Sequence, residues 1–333
     1  MRILVADTFP SGHLDRLGEL GHDCDYRPDT TSGQLPGLLA GRTALVVRST
    51  RVTAEALEGA DALRLVIRAG SGTNTIDRDA ASARGIYVCN VPGRNAIAVA
   101  ELACALMLAL DRGLYDNVAD LRAGRWDKKR HSRARGIHGR RVGVIGLGRI
   151  GLAFAERAAA FGTTVYAVAK PDRSAQVLER ARAIGVRFVD DLPTLARTCD
   201  VLSLHLPATD GTRHLVDADL LAHVRPGTLI LNTARGDLID EDALIEAMED
   251  KDVRAGLDVY ADEPAGGTGR IESRLARHPN VYGTHHIGAS TEQAQQAVAD
   301  EVVAMVAAFQ SGSVRHCVNL DDVRPTANSG EFP

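Results

Sequence analysis

The sequence predicts a parallel α/β protein of two domains, and three observations lead to this prediction. Short apolar segments alternate with helix-forming segments along most of the chain, which is the pattern of strands joined by crossover helices. A glycine-rich turn, Gly146–Gly151, stands between one such strand and one such helix. The length of 333 residues is sufficient for two domains of ordinary size.

Two series of short apolar segments are expected to form the strands. The first series consists of Ile3–Ala6, Ala44–Val47, Leu65–Arg68 and Tyr87–Asn90. The second series consists of Arg141–Ile145, Thr164–Val168, Arg187–Val189, Val201–Leu204, Thr228–Asn232, Arg254–Leu257 and Val281–Gly283. Because helix-forming stretches separate the segments, both series are expected to pair in parallel.

Three of the predicted helices are the clearest in the sequence. The first, Ser11–Leu20, follows the first strand. A long helix is predicted over Asn95–Leu114, because this stretch is rich in Ala and Leu and has no Pro. Another is predicted over Thr291–Gln310, with Ser290 or Thr291 as its N-cap.

Composition argues against several classes of protein. Hydrophobic residues make up 45% and charged residues 25% of the chain, a balance typical of soluble globular proteins. The net charge of −4 argues against a general binder of nucleic acid or of membrane surfaces. No apolar run reaches the length of a membrane span, and Ile3–Ala6 is too short for a signal segment. We therefore expect a cytoplasmic protein with neither nucleic acid nor membrane as a partner.

The cysteines predict neither a disulfide framework nor a metal site. There are five, and no two of them form a CxxC pair. Their spread favours small buried apolar side chains in a reducing cytosol. No metal cofactor is expected.

The glycine turn predicts a dinucleotide site, because its context is a strand, a turn and then a helix. Gly146 permits the tight turn, Gly148 lets the backbone approach a pyrophosphate, and Gly151 allows the helix to pack closely on the strand. The helix, expected over Leu152–Ala160, supplies N–H groups and its dipole to the anion. Arg149 and Ile150 complete the predicted loop. This half of the chain is therefore expected to be a Rossmann-type doubly wound sheet.

The end of the next strand leaves the choice of dinucleotide open. An acid that binds the adenosine ribose is expected about 20 residues after the glycine turn, and Lys170 stands there instead. Lys170 and Arg173 could attract a 2′-phosphate, whereas Asp172 is near enough to serve the ribose. Both NAD(H) and NADP(H) are compatible with these residues.

Three later strands run into turns that carry an Arg, a carboxylate and a His. Arg235 follows the first, Glu263 lies after the second, and His286 lies after the third, with His285 beside it. Carboxyl ends of parallel strands share one edge of a sheet, where ligands bind. An Arg can grip a carboxylate and polarise a carbonyl, an imidazolium can donate a proton, and a carboxylate can orient the imidazole. The set predicts hydride transfer to and from a 2-oxo acid.

At these turns the sequence resembles the D-isomer-specific 2-hydroxyacid dehydrogenases. The resemblance rests on an Asn-x-x-Arg-Gly turn at Arg235, on Glu263 before Pro264, and on His286 before Ile287-Gly288-Ala289-Ser290. It assigns substrate binding to Arg235, orientation of the histidine to Glu263, and the acid/base role to His286. His285 departs from the family, which commonly has Pro there. The spacing to Gly288 favours His286.

The resemblance also extends to positions that line the cofactor. Asp258 resembles the family residue that contacts the nicotinamide carboxamide. The other positions assigned to the cofactor in this way are Leu206, Pro207, Thr233, Ala234 and Gly288.

The N-terminal segments resemble members of the family that act on a phosphorylated hydroxy acid. By this resemblance the backbone of Ser71, Gly72 and Thr73 receives the substrate carboxylate. The candidate phosphate contacts are Arg48 together with Lys128, Lys129 and Arg130 of a partner subunit. Nine Lys or Arg and one acidic residue lie between positions 122 and 141, which suits a dianion but also suits a solvated face or a subunit contact.

These inferences together predict a discontinuous architecture. Residues 1–97 and 289–321 are expected to form a smaller, flavodoxin-like substrate domain, and residues 98–288 the dinucleotide domain. Residues 322–333 are expected to be a flexible tail, with no C-terminal regulatory domain. The resemblance implies a homodimer and a small anionic 2-hydroxy or 2-oxo acid as substrate. Glyoxylate, hydroxypyruvate or a phosphonate are alternative substrates, and a dinucleotide-sensing corepressor is the alternative from another class.

Overall fold

The computed structural model describes residues 1–264 and 268–323 of the chain. These residues divide into two compact units, each with its own parallel sheet. The first contains Met1–Asn95 and residues 290–323, and the second contains Ala96–Pro264 and Arg270–Ala289. Their assignment to substrate and dinucleotide binding remains a prediction. Of the predicted tail, residues 324–333 lie outside the described residues.

The strands of the first unit are β1 (Arg2–Val5), β2 (Asp23–Tyr26), β3 (Ala44–Val47), β4 (Leu65–Arg68) and β5 (Tyr87–Asn90). The strands of the second unit are β6 (Arg141–Ile145), β7 (Thr164–Val168), β8 (Arg187–Val189), β9 (Val201–Leu204), β10 (Leu229–Asn232), β11 (Arg254–Leu257) and β12 (Val281–Gly283). The helices in chain order are α1 (Ser11–Glu19), α2 (Leu35–Leu38), α3 (Ala54–Glu58), α4 (Arg78–Ala83), α5 (Ala96–Arg112), α6 (Leu114–Arg122), α7 (Arg149–Ala160), α8 (Ala175–Ile184), α9 (Leu192–Thr198), α10 (Ala218–His223), α11 (Glu241–Lys251) and α12 (Glu292–Gln310).

The sheet of the first unit has the strand order β2-β1-β3-β4-β5, with all these pairs parallel. This is the flavodoxin-like order, so the predicted class of this unit is confirmed. The sequence did not reveal β2, whose residues are Asp-Cys-Asp-Tyr. This strand lies at the edge of the sheet and none of its residues is fully buried, so it carries no apolar pattern.

The sheet of the second unit has the order β12-β11-β10-β9-β6-β7-β8, again with all pairs parallel. From β6 the chain builds outward through β7 and β8, and then crosses to the other side of β6 to form β9. The strand order therefore reverses between β6 and β9, which is where α/β sheets of the Rossmann type bind dinucleotides. The predicted class of this unit is confirmed as well.

Apolar side chains cover both faces of each sheet, which explains why the strands read as short continuous apolar runs. On one face of the second sheet, α5 and α7 bury their Ala, Leu and Phe side chains, and Phe154 is completely buried. Removal of such a ring costs about 3–5 kcal/mol of stability. No helix of the described residues is long and apolar enough to cross a membrane.

Helix ends differ in detail from the predictions. The predicted helix to Leu114 ends at Arg112, because Gly113 adopts a left-handed φ of 57° and a separate helix, α6, follows. The helix after the glycine turn begins at Arg149, which is earlier than predicted. The start of α12 is confirmed, since Thr291 is its N-cap and accepts a hydrogen bond from the Ala294 N–H at 3.1 Å.

Candidate active site

The glycine turn after β6 has two glycines that the protein itself requires. Gly146 has a φ of 103°, and a Cβ there would lie 2.4 Å from the carbonyl oxygen of His205. A Cβ on Gly151 would lie 1.9 Å from the carbonyl oxygen of Gly146. Side chains at either position would therefore collide with backbone and force the turn open.

Gly148 is different, because a Cβ there would meet no atom within 4 Å. It is the N-cap of α7, and no side chain caps the first turn of that helix. The turn thus presents open space in front of uncapped helical N–H groups, which is the environment that a pyrophosphate needs. The residues of the predicted loop therefore fit a dinucleotide.

The other predicted cofactor residues in and near this turn differ in exposure and in contacts. A Cδ atom of Leu206 lies 2.9 Å from where a Cβ of Gly146 would be, so Leu206 borders the turn directly. Pro207 is exposed, and its carbonyl accepts a hydrogen bond from the Thr212 hydroxyl at 2.7 Å. Arg149 is exposed and Ile150 is half-buried.

No carboxylate stands directly at the end of β7. Lys170 and Asp172 are both exposed in the segment that follows the strand. The guanidinium of Arg173 lies over the Phe188 ring, 5.3 Å from its centroid, and burial lowers the pKa of Arg173. Its Nη1 atom is buried without a hydrogen-bond partner among the described residues. Positive groups thus outnumber the single carboxylate in this segment.

The turn that carries Arg235 is held by the side chain of Asn232. Its amide donates to the carbonyl of Arg235 at 2.8 Å and its oxygen accepts from the Ala234 N–H at 3.0 Å. A Cβ on Gly236 would lie 2.1 Å from the Tyr260 backbone, so only glycine lets this turn approach the next one. These contacts explain the Asn-x-x-Arg-Gly pattern in physical terms.

His286 and Glu263 form a hydrogen-bonded pair, with 2.6 Å between Nδ1 and Oε2. The other Glu263 oxygen, Oε1, accepts from the Tyr260 N–H at 3.0 Å. Burial opposes ionisation of Glu263, but these hydrogen bonds and the charges of His286 and Arg235 hold its pKa below the ordinary value. The pair occupies Nδ1 and leaves Nε2 on the opposite edge of the imidazole.

The charge of Arg235 interacts with that of Glu263. Its burial lowers the pKa of the guanidinium, and the charges of Glu263 and Asp237 act in the opposite direction. The structure therefore brings Arg235, Glu263 and His286 together. His285 is exposed, and among the described residues it is His286 that contacts Glu263.

Asp258 holds the loop that carries His286, a role that the sequence analysis missed. Only 1% of Asp258 is exposed. Its carbonyl accepts from the His286 N–H at 2.7 Å, and its two carboxylate oxygens accept from the N–H groups of Ile287 and Gly288, each at 2.8 Å. The Thr284 hydroxyl donates to the same carboxylate at 2.6 Å. A carboxylate directly after a strand was the available signal, but the loop amides that it binds are not visible in a sequence.

This arrangement stabilises an unusual backbone conformation. His286 has a φ of 51°, in the left-handed region that residues other than glycine rarely adopt. Such a conformation costs about 1–2 kcal/mol. Hydrogen bonds to a charged group contribute about 1.5–3 kcal/mol each, so the contacts to Asp258 outweigh this strain.

Of the remaining positions assigned to the cofactor, both Thr233 and Ala234 are buried in the turn before Arg235. The Thr233 hydroxyl is buried without a hydrogen-bond partner among the described residues. Gly288 is buried against Asp258, and a Cβ there would lie 3.0 Å from Oδ2 of that carboxylate.

In the first unit, Asp7 holds the loop that carries Arg48. Its Oδ2 atom accepts from the N–H groups of Arg48, Ser49 and Thr50, at 2.6, 3.1 and 3.1 Å. The Arg48 side chain donates to the Ser290 hydroxyl at 3.0 Å. The backbone of this loop is thus fixed, while the Arg48 guanidinium donates to one neutral group among the described residues, the Ser290 hydroxyl.

The predicted carboxylate loop, Ser71–Thr73, is half-buried and is tied to the segment after β5. The Ser71 hydroxyl lies 3.2 Å from Oδ1 of Asn95. The backbone carbonyl of Ser71 accepts a hydrogen bond from the Asn90 side-chain amide at 2.5 Å. Gly72 and Thr73 follow in a segment without helix or strand, in which the Thr73 carbonyl accepts from the Ile76 N–H at 3.0 Å.

The first part of the basic stretch is organised around a buried carboxylate, Asp120, whereas Arg140 pairs with Asp111 and Arg141 with Asp200. Arg125, Arg130 and His131 all contact it, at 2.6, 2.9 and 3.0 Å. Arg130 is exposed and pairs with Asp120 within its own unit, and Lys128 and Lys129 are exposed as well. The assignment of these three side chains to a substrate phosphate in a partner subunit remains a prediction.

The strand order, the glycine turn and the Arg–Glu–His group define a dinucleotide-binding α/β protein. The family model for the NAD-binding domain of D-isomer-specific 2-hydroxyacid dehydrogenases matches residues 104–288, which is more than half of the chain. The chain belongs to this family, and the resemblance seen in the sequence is confirmed.

Individual relatives agree with this assignment. The D-3-phosphoglycerate dehydrogenase of Methanocaldococcus jannaschii is 37% identical over 97% of this chain and 60% of the relative. The hydroxypyruvate reductase of Thermotoga maritima is 42% identical over 78% of this chain and 82% of the relative. The D-lactate dehydrogenase of Aquifex aeolicus, solved with NAD and lactic acid, has a TM-score of 0.80 at 26% identity and covers 98% of this chain and 100% of its own. The chain spans about three fifths of the phosphoglycerate dehydrogenases that it matches.

Proposed function

We propose that this protein is a NAD(P)-dependent oxidoreductase that interconverts a D-2-hydroxy acid and its 2-oxo acid. The observation that carries the proposal is the hydrogen bond of 2.6 Å between His286 and Glu263, next to the charge of Arg235. These three groups follow parallel strands of the dinucleotide-binding unit, in a member of the D-2-hydroxyacid dehydrogenase family.

In this proposal His286 exchanges a proton with the substrate oxygen through Nε2. Glu263 binds Nδ1 and so fixes the orientation of the ring. During oxidation the neutral ring removes the hydroxyl proton, and during reduction the imidazolium returns it. When bound by the residues of the glycine turn, a nicotinamide dinucleotide would supply or accept the hydride at C2.

Arg235 is the group that we assign to the substrate carboxylate and carbonyl. Its guanidinium is largely withdrawn from solvent, where a charged hydrogen bond is stronger than in water. A forked guanidinium can bind a carboxylate with two parallel hydrogen bonds and so align C2.

The cofactor in this proposal is NAD(H) or NADP(H), and the segment after β7 decides between them. The exposed Lys170 and the stacked Arg173 favour a 2′-phosphate by charge, and the exposed Asp172 favours a ribose hydroxyl. Replacement Lys170→Asp should raise the ratio of kcat/KM for NADH over NADPH about tenfold, the effect of about 1.4 kcal/mol. Lys128→Asp makes the same charge change at a position assigned to the substrate and not to the cofactor, so it is the matched control and should leave the NADH/NADPH ratio unchanged. An unchanged ratio would show that Lys170 does not contact the nucleotide.

The leading substrate is D-3-phosphoglycerate, with 3-phosphohydroxypyruvate as its oxidised form. The support is the similarity to phosphoglycerate dehydrogenases over nearly the whole chain, together with Arg48 on a fixed loop, whose side chain donates to the neutral Ser290 hydroxyl. Hydroxypyruvate is the second candidate, because the chain covers 82% of the hydroxypyruvate reductase that it resembles. The two oxidised substrates differ only by the phosphate.

Steady-state reduction rates for phosphohydroxypyruvate, hydroxypyruvate and glyoxylate test the choice of substrate, with NADH and with NADPH. Preference for the phosphorylated acid, lost in Arg48→Ala with hydroxypyruvate unaffected, is the expected result. Equal rates with and without the phosphate would overturn the phosphoglycerate assignment. Dinucleotide binding without turnover of any 2-oxo acid would instead favour a sensing protein such as a corepressor.

We also infer a homodimer that forms through α6. One face of this helix is apolar and exposed at Leu114, Val118 and Leu121, which are spaced as i, i+4 and i+7. Trp126, just beyond the helix, is 83% exposed. Light scattering should give twice the mass of the chain for the wild type, and Leu121→Glu should shift it to the monomer. A wild-type monomer would contradict the inference.

A further inference from the structure

The segment after α12 pairs with β5 in the direction opposite to the other strands of the first sheet. Cys317 lies directly opposite Cys89 in this antiparallel contact. The Asn90 N–H donates to the His316 carbonyl at 3.2 Å, and the Val318 N–H donates to the Val88 carbonyl at 2.9 Å. These bonds lie on either side of the two cysteines, which therefore form a non-hydrogen-bonded antiparallel pair.

This backbone geometry suits a disulfide. Directly opposed residues of a non-hydrogen-bonded antiparallel pair have Cα atoms about 4.5 Å apart. A disulfide requires Cα atoms about 4.4–6.8 Å apart, so the strands can be linked without a large movement. The side chain of Asn319 also fixes the segment, since it accepts from the Val88 N–H at 2.8 Å and donates to the Ile86 carbonyl at 3.0 Å.

The two thiols differ in accessibility and acidity. Cys89 is buried, whereas Cys317 is half-exposed, contrary to the expectation that every cysteine is buried. The interaction between the two thiols lowers the pKa of Cys317 and, together with burial, raises the pKa of Cys89. The Cys317 thiol itself donates to Oδ1 of Asn319 at 3.2 Å. Cys317 is therefore the thiol with more thiolate character and easier access to an oxidant.

The other cysteines are not expected to react. Burial raises the pKa of Cys104 to about 11 and that of Cys199 to about 12. Cys24 is half-exposed, but burial also raises its pKa. An oxidant should accordingly react with the Cys89–Cys317 pair and leave these three thiols unmodified.

We propose that Cys89 and Cys317 form a reversible disulfide site for peroxide or for an oxidised low-molecular-weight thiol. With peroxide, the Cys317 thiolate attacks an oxygen and becomes a sulfenic acid, and the peroxide O–O bond breaks with release of water. The Cys89 sulfur then attacks the sulfenic sulfur and the second oxygen leaves as water. Two thiols and one hydrogen peroxide thus give one disulfide and two waters, with the peroxide reduced.

The disulfide would link positions that are far apart in the chain, and would attach the segment after α12 to β5 covalently. Closure of so long a loop restricts the unfolded chain, so oxidation should raise the melting temperature. Neither cysteine takes part in the proposed reaction, so this inference does not depend on the proposed function.

The test is treatment of the full chain, first reduced and freed of reductant, with hydrogen peroxide near neutral pH. The expected result is a fall in free thiols from five to three. Tryptic digestion without reductant should yield the peptides 85–94 and 316–333 joined by a disulfide, because trypsin does not cleave between Arg324 and Pro325. Dithiothreitol should restore both thiols and the original melting temperature.

Variants distinguish this pair from general oxidation. Cys24→Ser should behave like the wild type. Cys89→Ala should lose the linked peptide, and its Cys317 should be trapped as a sulfenic acid by dimedone. Retention of all five thiols by folded wild-type protein, or a linked peptide that contains any other cysteine, would overturn the proposal. If Cys89→Ala does not fold, Cys317→Ser provides the same test from the exposed partner.

Discussion

Two loops of this protein are held by the same device in two separate units. Asp7 in the first unit and Asp258 in the second each lie just after a strand, and each binds three consecutive backbone N–H groups of the loop after a neighbouring strand. The first loop, residues 48–50, carries Arg48. The second, residues 284–288, carries His286.

The two loops differ in how tightly they are fixed. Asp7 is partly exposed, and one of its oxygens accepts all three N–H groups. Asp258 is buried, and it uses both oxygens and its own carbonyl while a hydroxyl donates to it as well. Only the second loop contains a residue with a left-handed φ, His286.

This difference matches the proposed roles of the two loops. Transfer of a proton demands an imidazole at a fixed position and angle, because a small displacement costs much of the rate. Binding of an anion by a long cationic side chain tolerates more freedom, because the side chain itself can adjust. We therefore expect perturbation of the second loop to affect turnover, and perturbation of the first to affect substrate affinity.

The largest effect is expected for His286→Ala. Loss of the acid/base group should lower kcat roughly 10²–10⁴-fold, the usual contribution of general acid–base catalysis. Dinucleotide binding, measured by quenching of protein fluorescence, should be unchanged. His285→Ala is the matched control and should retain near-normal turnover, since it is His286 that pairs with Glu263. If the two variants exchange these results, the acid/base role belongs to His285.

Asp258→Asn should have the next largest effect. The new amide group points a donor at a backbone N–H, so at least one charged hydrogen bond, worth about 1.5–3 kcal/mol, is lost. We expect kcat to fall on the order of 10–100-fold and the pH profile of kcat/KM to change, because the His286–Glu263 pair is displaced. Thr284→Val, which removes one hydroxyl donor and keeps the carboxylate, should have a smaller effect.

The dinucleotide affinity of Asp258→Asn shows whether Asp258 positions the loop of His286 or contacts the cofactor directly. Weaker dinucleotide binding with normal kcat and an unaltered pH profile would assign Asp258 to the cofactor alone, as the family resemblance does. That result would remove the proposed contrast between the two loops.

Asp7→Asn should lower the affinity for the substrate. We expect KM for phosphohydroxypyruvate to rise by up to about tenfold, with kcat nearly constant, because the backbone of residues 48–50 loses part of its support. Ser49→Ala removes only the contact of 3.3 Å between that hydroxyl and Asp7, and should be close to neutral. A fall in kcat as large as that in Asp258→Asn would show that the loops do not differ in role.

The smallest effect is on stability at acid pH. The pKa of Glu263 is held below its ordinary value in the folded protein, so its ionisation adds to the free energy of unfolding. This stabilisation is fully present above the pKa that Glu263 has in the unfolded chain, and it is lost as the pH falls through its pKa in the folded protein. Because the pair is partly exposed, this contribution is about 1 kcal/mol or less. Urea unfolding of wild type and Glu263→Gln across that acid range measures it. A difference that grows toward low pH would contradict the assignment.

Much of the fold was predictable because most strands are buried on both faces and form short apolar runs with turn residues beside them. The edge strands β2 and β8 are the least buried; β8 still carries Phe188 and Val189, whereas β2 is polar and has no apolar pattern. Helix ends were less predictable. Gly113 ends α5 through its left-handed backbone, and nothing in the local apolar pattern distinguishes it from a glycine inside a helix.

The types of residue at the site could be predicted from the sequence, but the hydrogen bonds that hold them in place could not. Arg235, Glu263 and His286 could be selected because strand ends converge at one edge of a sheet. The bonds from Asp258 to three backbone N–H groups depend on the course of a loop, which a sequence pattern does not specify. The engagement of Arg130 with the buried Asp120 was hidden for the same reason.

The antiparallel segment around Cys317 has a consequence for the behaviour of the protein at high concentration. Without it, β5 would be an open edge of the first sheet, with the N–H groups of Val88 and Asn90 and the Val88 carbonyl free to recruit a strand from another molecule. The segment occupies these groups, so it shields the chain from sheet-to-sheet aggregation. A chain shortened to end before His316 should therefore form β-rich aggregates on concentration, even though its parallel sheets and its candidate active site are complete.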